Sequence, residues 1–435
     1  EICSRDWSSD VCSSDLAGRA SHAMSLLQRF GTDSLVAGDS LDSPEFSLAL
    51  RQLHPEATVQ DLLPIPAASV SRSSVQLDGD DLSAALEAFP RLSANGGRSA
   101  WTYDLIKQLL KDKPNLRCLV ESLFNRQLSG LGGKYFNMWT CARLVPLKKS
   151  SGGLRPIAIG EAWFRFLGRA VALKLSKEIG PKLLPYQFGV GICGGAEAIV
   201  HSIQLAKRCT ILESQSDPRP MDPWVILSVD FANAFNVMRR YPIAAAVAQH
   251  SPELVQLFHW AYRSSSSPYL SNGRKAVDSA TGVRQGDPLG PLFFCLGLQD
   301  TLAKVATQFP SVSPLCYMDD TYVVGPKSEI MRAFQLFTVQ CRETLGLAVN
   351  VAKCVAFDPS AGPQAAEWGD IRVVSTGIEV LGRPVGDASS PSYEEHAIQA
   401  ALKEYAAILP SMAQDLPVPE AFRRCSLVSI HVPCM

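Results

Sequence analysis

Three aspartates stand where carboxylates could work together. Asp319 and Asp320 are adjacent, and the flanking PLCYM and TYVVG segments predict two arms of a tight hairpin with the acids at its tip. Neighbouring carboxylates repel, a cost that makes sense where a divalent cation neutralises them. Alone, an Asp-Asp pair is more simply a polar turn. Asp230 changes that balance: it closes WVILSVD, a continuous apolar run that reads as a buried strand ending in a carboxylate. An aspartate in such a strand is costly unless paired or metal-bound. Placing that strand beside the hairpin brings three carboxylates to one sheet edge. With substrate phosphates they could hold two Mg2+ about 3.5–4 Å apart, an arrangement that activates a 3′-hydroxyl and stabilises a departing pyrophosphate. That chemistry is nucleotidyl transfer.

The elements that must position the acids can be read around them. Pro288 to Gln308 predicts a long apolar helix. Ile330, Phe334, Phe337, Cys341 and Leu345 trace one face of another, stopped by Gly346, after which Leu347, Val349 and Val351 alternate as a strand. Strand, helix, hairpin, helix, strand is the order of a split βαβ, ferredoxin-like sheet. Upstream, ARLVPL, the turn KKSSGG and LRPIAI predict a hairpin between Arg143 and Ile159, followed by a basic helix to about Lys182. Asp80 and Asp81 are candidate N-caps for a short helix whose Leu82, Ala85, Leu86 and Phe89 share one face; Trp101, Leu105 and Leu109 mark a second. Residues 17–79 are rich in Ser, Pro, Ala and Asp with weak periodicity, which predicts a loosely structured lead-in.

With 435 residues, 46% hydrophobic and 19% charged, the chain can bury a large core in two or three subdomains. No apolar run reaches the roughly 18–20 residues that cross a bilayer, so it reads as soluble, with no membrane partner. Twelve cysteines without a CxxC pair and seven unclustered histidines argue against a zinc site or disulfide framework and for a reduced intracellular setting. The net charge of −1 hides a local excess: from Cys141 to Lys182, nine Lys or Arg face only Glu161 and Glu178. That stretch predicts a phosphate-facing patch, the alternative being a solvated basic helix. The opening EICSRDWSSDVCSSDL, residues 1–16, is similar to translated sequencing-adapter read-through, and Ala421 to Met435 stops inside a helix or its exit. A fragment is therefore expected.

Seven motifs, in order, resemble those of the reverse transcriptases of non-LTR (LINE-like) retrotransposons. YMDD at Tyr317 to Asp320 is similar to the catalytic hairpin, SVDFANAFN at Ser228 to Asn236 to the first aspartate motif, and GVRQGDPLGPLFF at Gly282 to Phe294 to the motif between them. LGLAVNVAKC at Leu345 to Cys354 resembles the lysine-bearing motif, and GIEVLGRPVG at Gly377 to Gly386 the primer-grip hairpin. LVPLKKSSGGLRPIAIG at Leu144 to Gly160 resembles the fingers hairpin, and QFGVGICGGAEAIVH at Gln187 to His201 a segment of LINE-type members. Each pattern is weak alone; seven in sequence, over roughly Leu82 to Gly386, are specific.

The resemblance implies an α+β right-hand polymerase with fingers, a ferredoxin-like palm (a split βαβ antiparallel sheet) and a partial thumb. Fingers with part of the palm would span 80–215, the palm with its catalytic site 216–386, and a truncated thumb 387–435. Asp230, Asp319 and Asp320 would hold two Mg2+, for which Mn2+ could substitute, with the backbone carbonyl of Phe231 as a further ligand. Lys353 would protonate pyrophosphate, while Arg155 and one of Lys148 or Lys149 would reach the triphosphate. Phe235 would stand under the sugar and offer a 2′-hydroxyl no partner. Gln285, Gly286 and Tyr317 would line the nucleotide, and Leu381 and Gly382 would form the primer grip. Partners would be an RNA template, a DNA primer and dNTPs, with a nuclear setting and an endonuclease domain in the full-length element. SANGGR at Ser93 to Arg98 departs from the GPDG-like turn of relatives, which leaves a template contact there open.

Two rival functions remain: a non-catalytic, nucleic-acid-binding palm remnant, and an RNA-directed RNA polymerase. The second type of enzyme places an acid five residues after the first aspartate and glycine before the Asp pair, where this sequence has Phe235 and Met318.

Overall fold

A computed structural model describes residues 34–35, 41, 43–58, 74–89, 97–131, 133, 136–148, 154–216, 222–270, 272–284, 286–361, 368–386 and Tyr393. In chain order its main elements are β1 (Ser34–Leu35), α1 (Pro44–Leu53), α2 (Gly79–Glu87), α3 (Tyr103–Leu110), α4 (Pro114–Leu128), β2 (Ala142–Lys148), β3 (Leu154–Gly160), α5 (Ala162–Leu183) and α6 (Gly195–Ser216). There follow β4 (Trp224–Val229), α7 (Ala234–Val237), α8 (Arg240–His250), α9 (Val255–Tyr262), β5 (Pro268–Tyr269), α10 (Gly290–Gln308), β6 (Ser313–Tyr317), β7 (Asp320–Pro326), α11 (Lys327–Gln340), β8 (Val355–Phe357), β9 (Arg372–Val374), β10 (Gly377–Val380) and β11 (Arg383–Gly386).

The continuous apolar sequence of β4 is explained by cover on both faces. Val225, Leu227 and Val229 enter the main core with residues of α10 and α11, while Ile226 turns to a second core shared with Tyr322, Val324, Ile199 and Ile203. Strand β4 pairs antiparallel with β7 and β8, and β6 closes a hairpin on β7, giving the order β6-β7-β4-β8-β9. Without β9, the path β4-α10-β6-β7-α11-β8 is the expected split βαβ arrangement.

Two details differ from expectation. The sheet is not wholly antiparallel, because β9 runs parallel to β8. Leu347 to Val351 is not a ladder strand: Ala232 N–H donates to Ala348 O at 2.9 Å and Asn350 N–H to Asp230 O at 2.8 Å, and the chain then turns in a 3-10 segment, Val351–Lys353. Leu347 is buried and Val349 and Val351 are half-buried, but the backbone is drawn toward the end of β4 rather than along its edge.

In the smaller sheet, β2 and β3 form the expected hairpin from Ala142↔Gly160 to Lys148↔Leu154. Strand β1 pairs with the other side of β2, as does β5 in parallel. Within the stretch expected to be a loose lead-in, residues 34–35, 41 and 43–58 are described and carry β1 and α1. Ser43 caps α1 by accepting from Phe46 N–H at 3.1 Å, Pro44 suits the first turn, and Phe46 and Leu50 pack with Leu41, Leu144 and Leu270. Asn233 Nδ2 donates to Leu53 O at 2.6 Å, tying the end of this helix to the loop after β4. At α2 the cap is Asp78 rather than Asp80 or Asp81, and Asp81 reciprocates as the second half of a capping box.

Four of the five cations on α5 make contacts within the protein, and Lys177 is exposed. Arg165 lies over the Tyr103 ring, buried Arg169 donates to Ala88 O, Lys174 pairs with Asp81 at 2.6 Å, and Lys182 reaches His250 O at 3.2 Å. Thirteen residues of α5 are buried. Among the described residues no helix is long and apolar enough to cross a membrane.

Arg240 on α8 organises the long connection ahead of α10. It is 2% exposed and donates to the carbonyls of Gly282, Tyr262 and Ser279 at 2.9 Å each, with Ser264 and Thr281 at 3.3 Å. Replacing it with methionine keeps the stem but strands several buried carbonyls, each worth about 1–3 kcal/mol. Arg240→Met is expected to lower unfolding free energy by about 3–5 kcal/mol in denaturant titration. Wild-type stability would mean that water replaces the guanidinium there.

Candidate active site

Strand register carries the three acids to one edge. Val229 pairs with Thr321 across β4 and β7, so the next residues along, Asp230 and Asp320, face each other. Tyr317 pairs with Asp320 across β6 and β7, which leaves Met318 and Asp319 as a two-residue turn. By alternation Asp230 shares a face with Ile226, and Asp320 with Tyr322 and Val324; this is the face covered by α6 and the β10–β11 hairpin.

The acids sense one another. Desolvation at the hairpin tip, and then the charge of Asp230, hold the Asp319 carboxyl above its ordinary range although part of the side chain still meets solvent. Among the described residues no three acidic, His or Cys groups close into a ready-made metal cage, so the carboxylates stand as neighbours at the sheet edge.

The donor set nevertheless suits a hard divalent ion, since every candidate atom is oxygen. Phe231 fits it too: the bonds joining this segment to residues 348–350 run through Asp230 and Ala232, leaving the Phe231 carbonyl outside that pairing. Its ring is held 5.8 Å from that of Phe337.

Phe235, half-buried on the single turn α7, stacks on Phe294 of α10 with centroids 4.7 Å apart and planes 16° from parallel. Val283 N–H donates to its carbonyl at 2.7 Å, bringing the Gly282–Asp287 turn alongside. Gly286 sits at φ +118, and a Cβ there would run into the Ala158 carbonyl oxygen of β3. The turn ahead of α10 meets β3 at this backbone contact.

The turn is fixed from beneath by residues the sequence did not single out. Tyr262 OH donates to Asp287 Oδ2 at 2.5 Å, Arg284 reaches the same oxygen at 3.2 Å, and Leu289 N–H donates to Asp287 Oδ1 at 2.9 Å. Burial, followed by the Asp287 charge, pushes the Tyr262 hydroxyl well above its usual range, so it remains a donor. The available signal was an Arg and Asp three residues apart in a largely apolar run.

The remaining candidates are more dispersed. Tyr317 is half-buried beside Asp320, and Lys353 is exposed at the end of its 3-10 turn, its N–H donating to Asn350 O while Asn350 N–H donates to Asp230 O. Leu381 and Gly382, at φ +49 and +77, form the β10–β11 turn, and Leu381 N–H donates to Tyr322 OH at 3.0 Å. Burial pushes that hydroxyl up to about 12. Tyr322 is therefore a further missed residue, joining the hairpin to the strand that begins at Asp320. Lys148 and Arg155 lie opposite Leu154 and Leu147 on the β2–β3 hairpin. Their side chains, like all of Lys149 and Gln285, fall outside the described residues, as do the proposed adapter at 1–16 and, apart from Tyr393, the expected thumb.

Comparison with known proteins gives three findings. A family sequence model described as reverse transcriptase (RNA-dependent DNA polymerase) matches residues 147–385, more than half of the chain. The retrotransposable element SLACS 132 kDa protein of Trypanosoma brucei gambiense is 27% identical over 289 residues, which cover 64% of this chain and 23% of that protein. The chain thus spans about a quarter of the curated relative it matches. A solved apo telomerase from Candida tropicalis, truncated from its C-terminal domain, superposes with TM-score 0.41 at 13% identity over 61% of this chain and 59% of that one.

Proposed function

The chain belongs to the reverse transcriptase (RNA-dependent DNA polymerase) family, whose members work with divalent metal ions on a template and primer, and from that premise we propose that it extends a DNA primer on an RNA template with dNTPs as part of a non-LTR retrotransposon protein. The single observation that carries this reading is the register that sets Asp230 opposite Asp320 with Asp319 in the adjoining turn. When bound by these three carboxylates and the Phe231 carbonyl, two Mg2+, or Mn2+ in their place, supply activation of the primer 3′-hydroxyl and charge stabilisation of the departing pyrophosphate.

The chain's own residues do the rest. Arg155 and one of Lys148 or Lys149 bind the triphosphate, and Lys353 hands a proton to pyrophosphate. Tyr317, Gln285 and Gly286 line the nucleotide, and the Leu381–Gly382 turn holds the primer end. Fingers at 80–215, joined by the 34–58 segment, palm at 216–386 and a thumb from 387 are part of the same proposal. So are a nuclear setting and an endonuclease domain in the full-length protein.

The test is primer extension on RNA in Mg2+ with either dNTPs or NTPs. Extension with dNTPs is expected; preference for NTPs would favour an RNA polymerase, and template binding without extension a non-catalytic remnant. Phe235 adds a sharper arm. Its stack on Phe294 prevents the ring from swinging aside, so Phe235→Ala is expected to narrow the dNTP-over-NTP ratio of kcat/KM by about a hundredfold. An unchanged ratio would remove this ring from beneath the sugar.

A further inference from the structure

Met318 occupies the first position of the catalytic turn at φ +59, a conformation that glycine adopts freely and an L side chain does not. Yet it is methionine, and it is buried. One side chain uses both of its polar backbone groups: Gln187, 0% exposed, accepts from Met318 N–H at 3.1 Å and donates to Met318 O at 2.9 Å. The amide orientation follows from the chemistry, since the N–H requires an acceptor and the carbonyl a donor.

Gln187 is itself pinned. Its N–H donates to Leu183 O at 3.0 Å, Cys316 N–H donates to Tyr186 O at 2.7 Å, and Phe188 N–H donates to Cys316 O at 2.8 Å. Residues 186–188 thus run beside β6 in a parallel bridge just before the turn. The glycines that follow permit this approach. A Cβ at Gly189 would come 2.8 Å from both Met318 N and Met318 Cγ, and one at Gly195 would strike the Phe188 carbonyl.

We propose that Gln187 is a positioning residue for catalysis, holding Met318 at positive φ and thereby aiming Asp319 and Asp320 at the metal site. This rests on the polymerase reading above and deepens it. Without the amide, two buried backbone groups lose their partner at a strained turn, and relaxation of Met318 toward negative φ rotates the next residue, Asp319, away from Asp230.

Primer extension and thermal unfolding of wild type, Asp319→Asn, Gln187→Leu and Gln187→Leu/Met318→Gly test the proposal. Gln187→Leu is expected to lose roughly thirtyfold in kcat with little change in the dNTP KM. Adding Met318→Gly is expected to recover about tenfold, because glycine takes the positive φ without a clamp. Wild-type kcat in Gln187→Leu, a defect confined to KM, or a kcat loss that Met318→Gly leaves in place would each overturn the positioning role. If Gln187→Leu does not fold, Gln187→Glu carries the same comparison, since it keeps volume and the acceptor but loses the donor. An inactive wild type, or full activity in Asp319→Asn, would instead overturn the polymerase reading, and the positioning role with it.

Discussion

Asp319→Asn is expected to reduce primer extension by about a thousandfold or more while leaving the thermal midpoint unchanged or higher. The substitution keeps the shape of the side chain and its place in the Met318–Asp319 turn but removes the charge. In the folded chain that charge is disfavoured by desolvation, with a smaller contribution from Asp230, and solvent at the exposed tip softens both. Its loss should therefore not harm the fold. A residue whose charge destabilises its own surroundings is retained for what the charge does to a ligand, and the split between activity and stability is the signature of that role. Activity equal to wild type would show that the carboxylate is not a metal ligand. A fall in activity matched by a fall in stability would mean that the turn, and not the charge, had been damaged.

The acids were legible because each sits at an end of a strongly marked element. An apolar run closed by Asp230 and two β-prone arms around Asp319 and Asp320 leave few ways to pair, and a slip of one residue would turn every side chain over. The supports of the site were less legible, for a physical reason: an amide or guanidinium gains its role from partners far away in sequence. Gln187 matters through a turn 131 residues downstream, and Arg240 through carbonyls 22 to 42 residues away. Charge counting on α5 is blind in the same way, since the sum of charges from 141 to 182 contains no information about Asp81 or the Tyr103 ring. The helix at Pro44–Leu53 was hidden by composition. Its burial against Leu144 and Leu270 depends on a sheet formed much later in the chain.

Gly286 is a case in which the sequence showed that a side chain must be absent but not what it would strike. Gly286→Ala is expected to lower unfolding free energy by about 3 kcal/mol or more and to cut primer extension at least a hundredfold, with the dNTP KM rising as well. Two effects combine here. At φ +118 an alanine is strained whatever the space, and its Cβ would meet the Ala158 carbonyl, which is strand backbone and cannot rotate away. Relief requires the 284–290 turn and β3 to part. In the proposed arrangement these bound the nucleotide from the palm and the fingers, so binding and turnover should fail together. Gly369→Ala separates the two contributions, because Gly369 has φ +58 with nothing within 4 Å of the added carbon. That variant should carry only the conformational cost of about 1–2 kcal/mol. If Gly286→Ala unfolds with the same midpoint as Gly369→Ala, the strand yields at little cost, and the contact between the turn and β3 is too soft to set the nucleotide site.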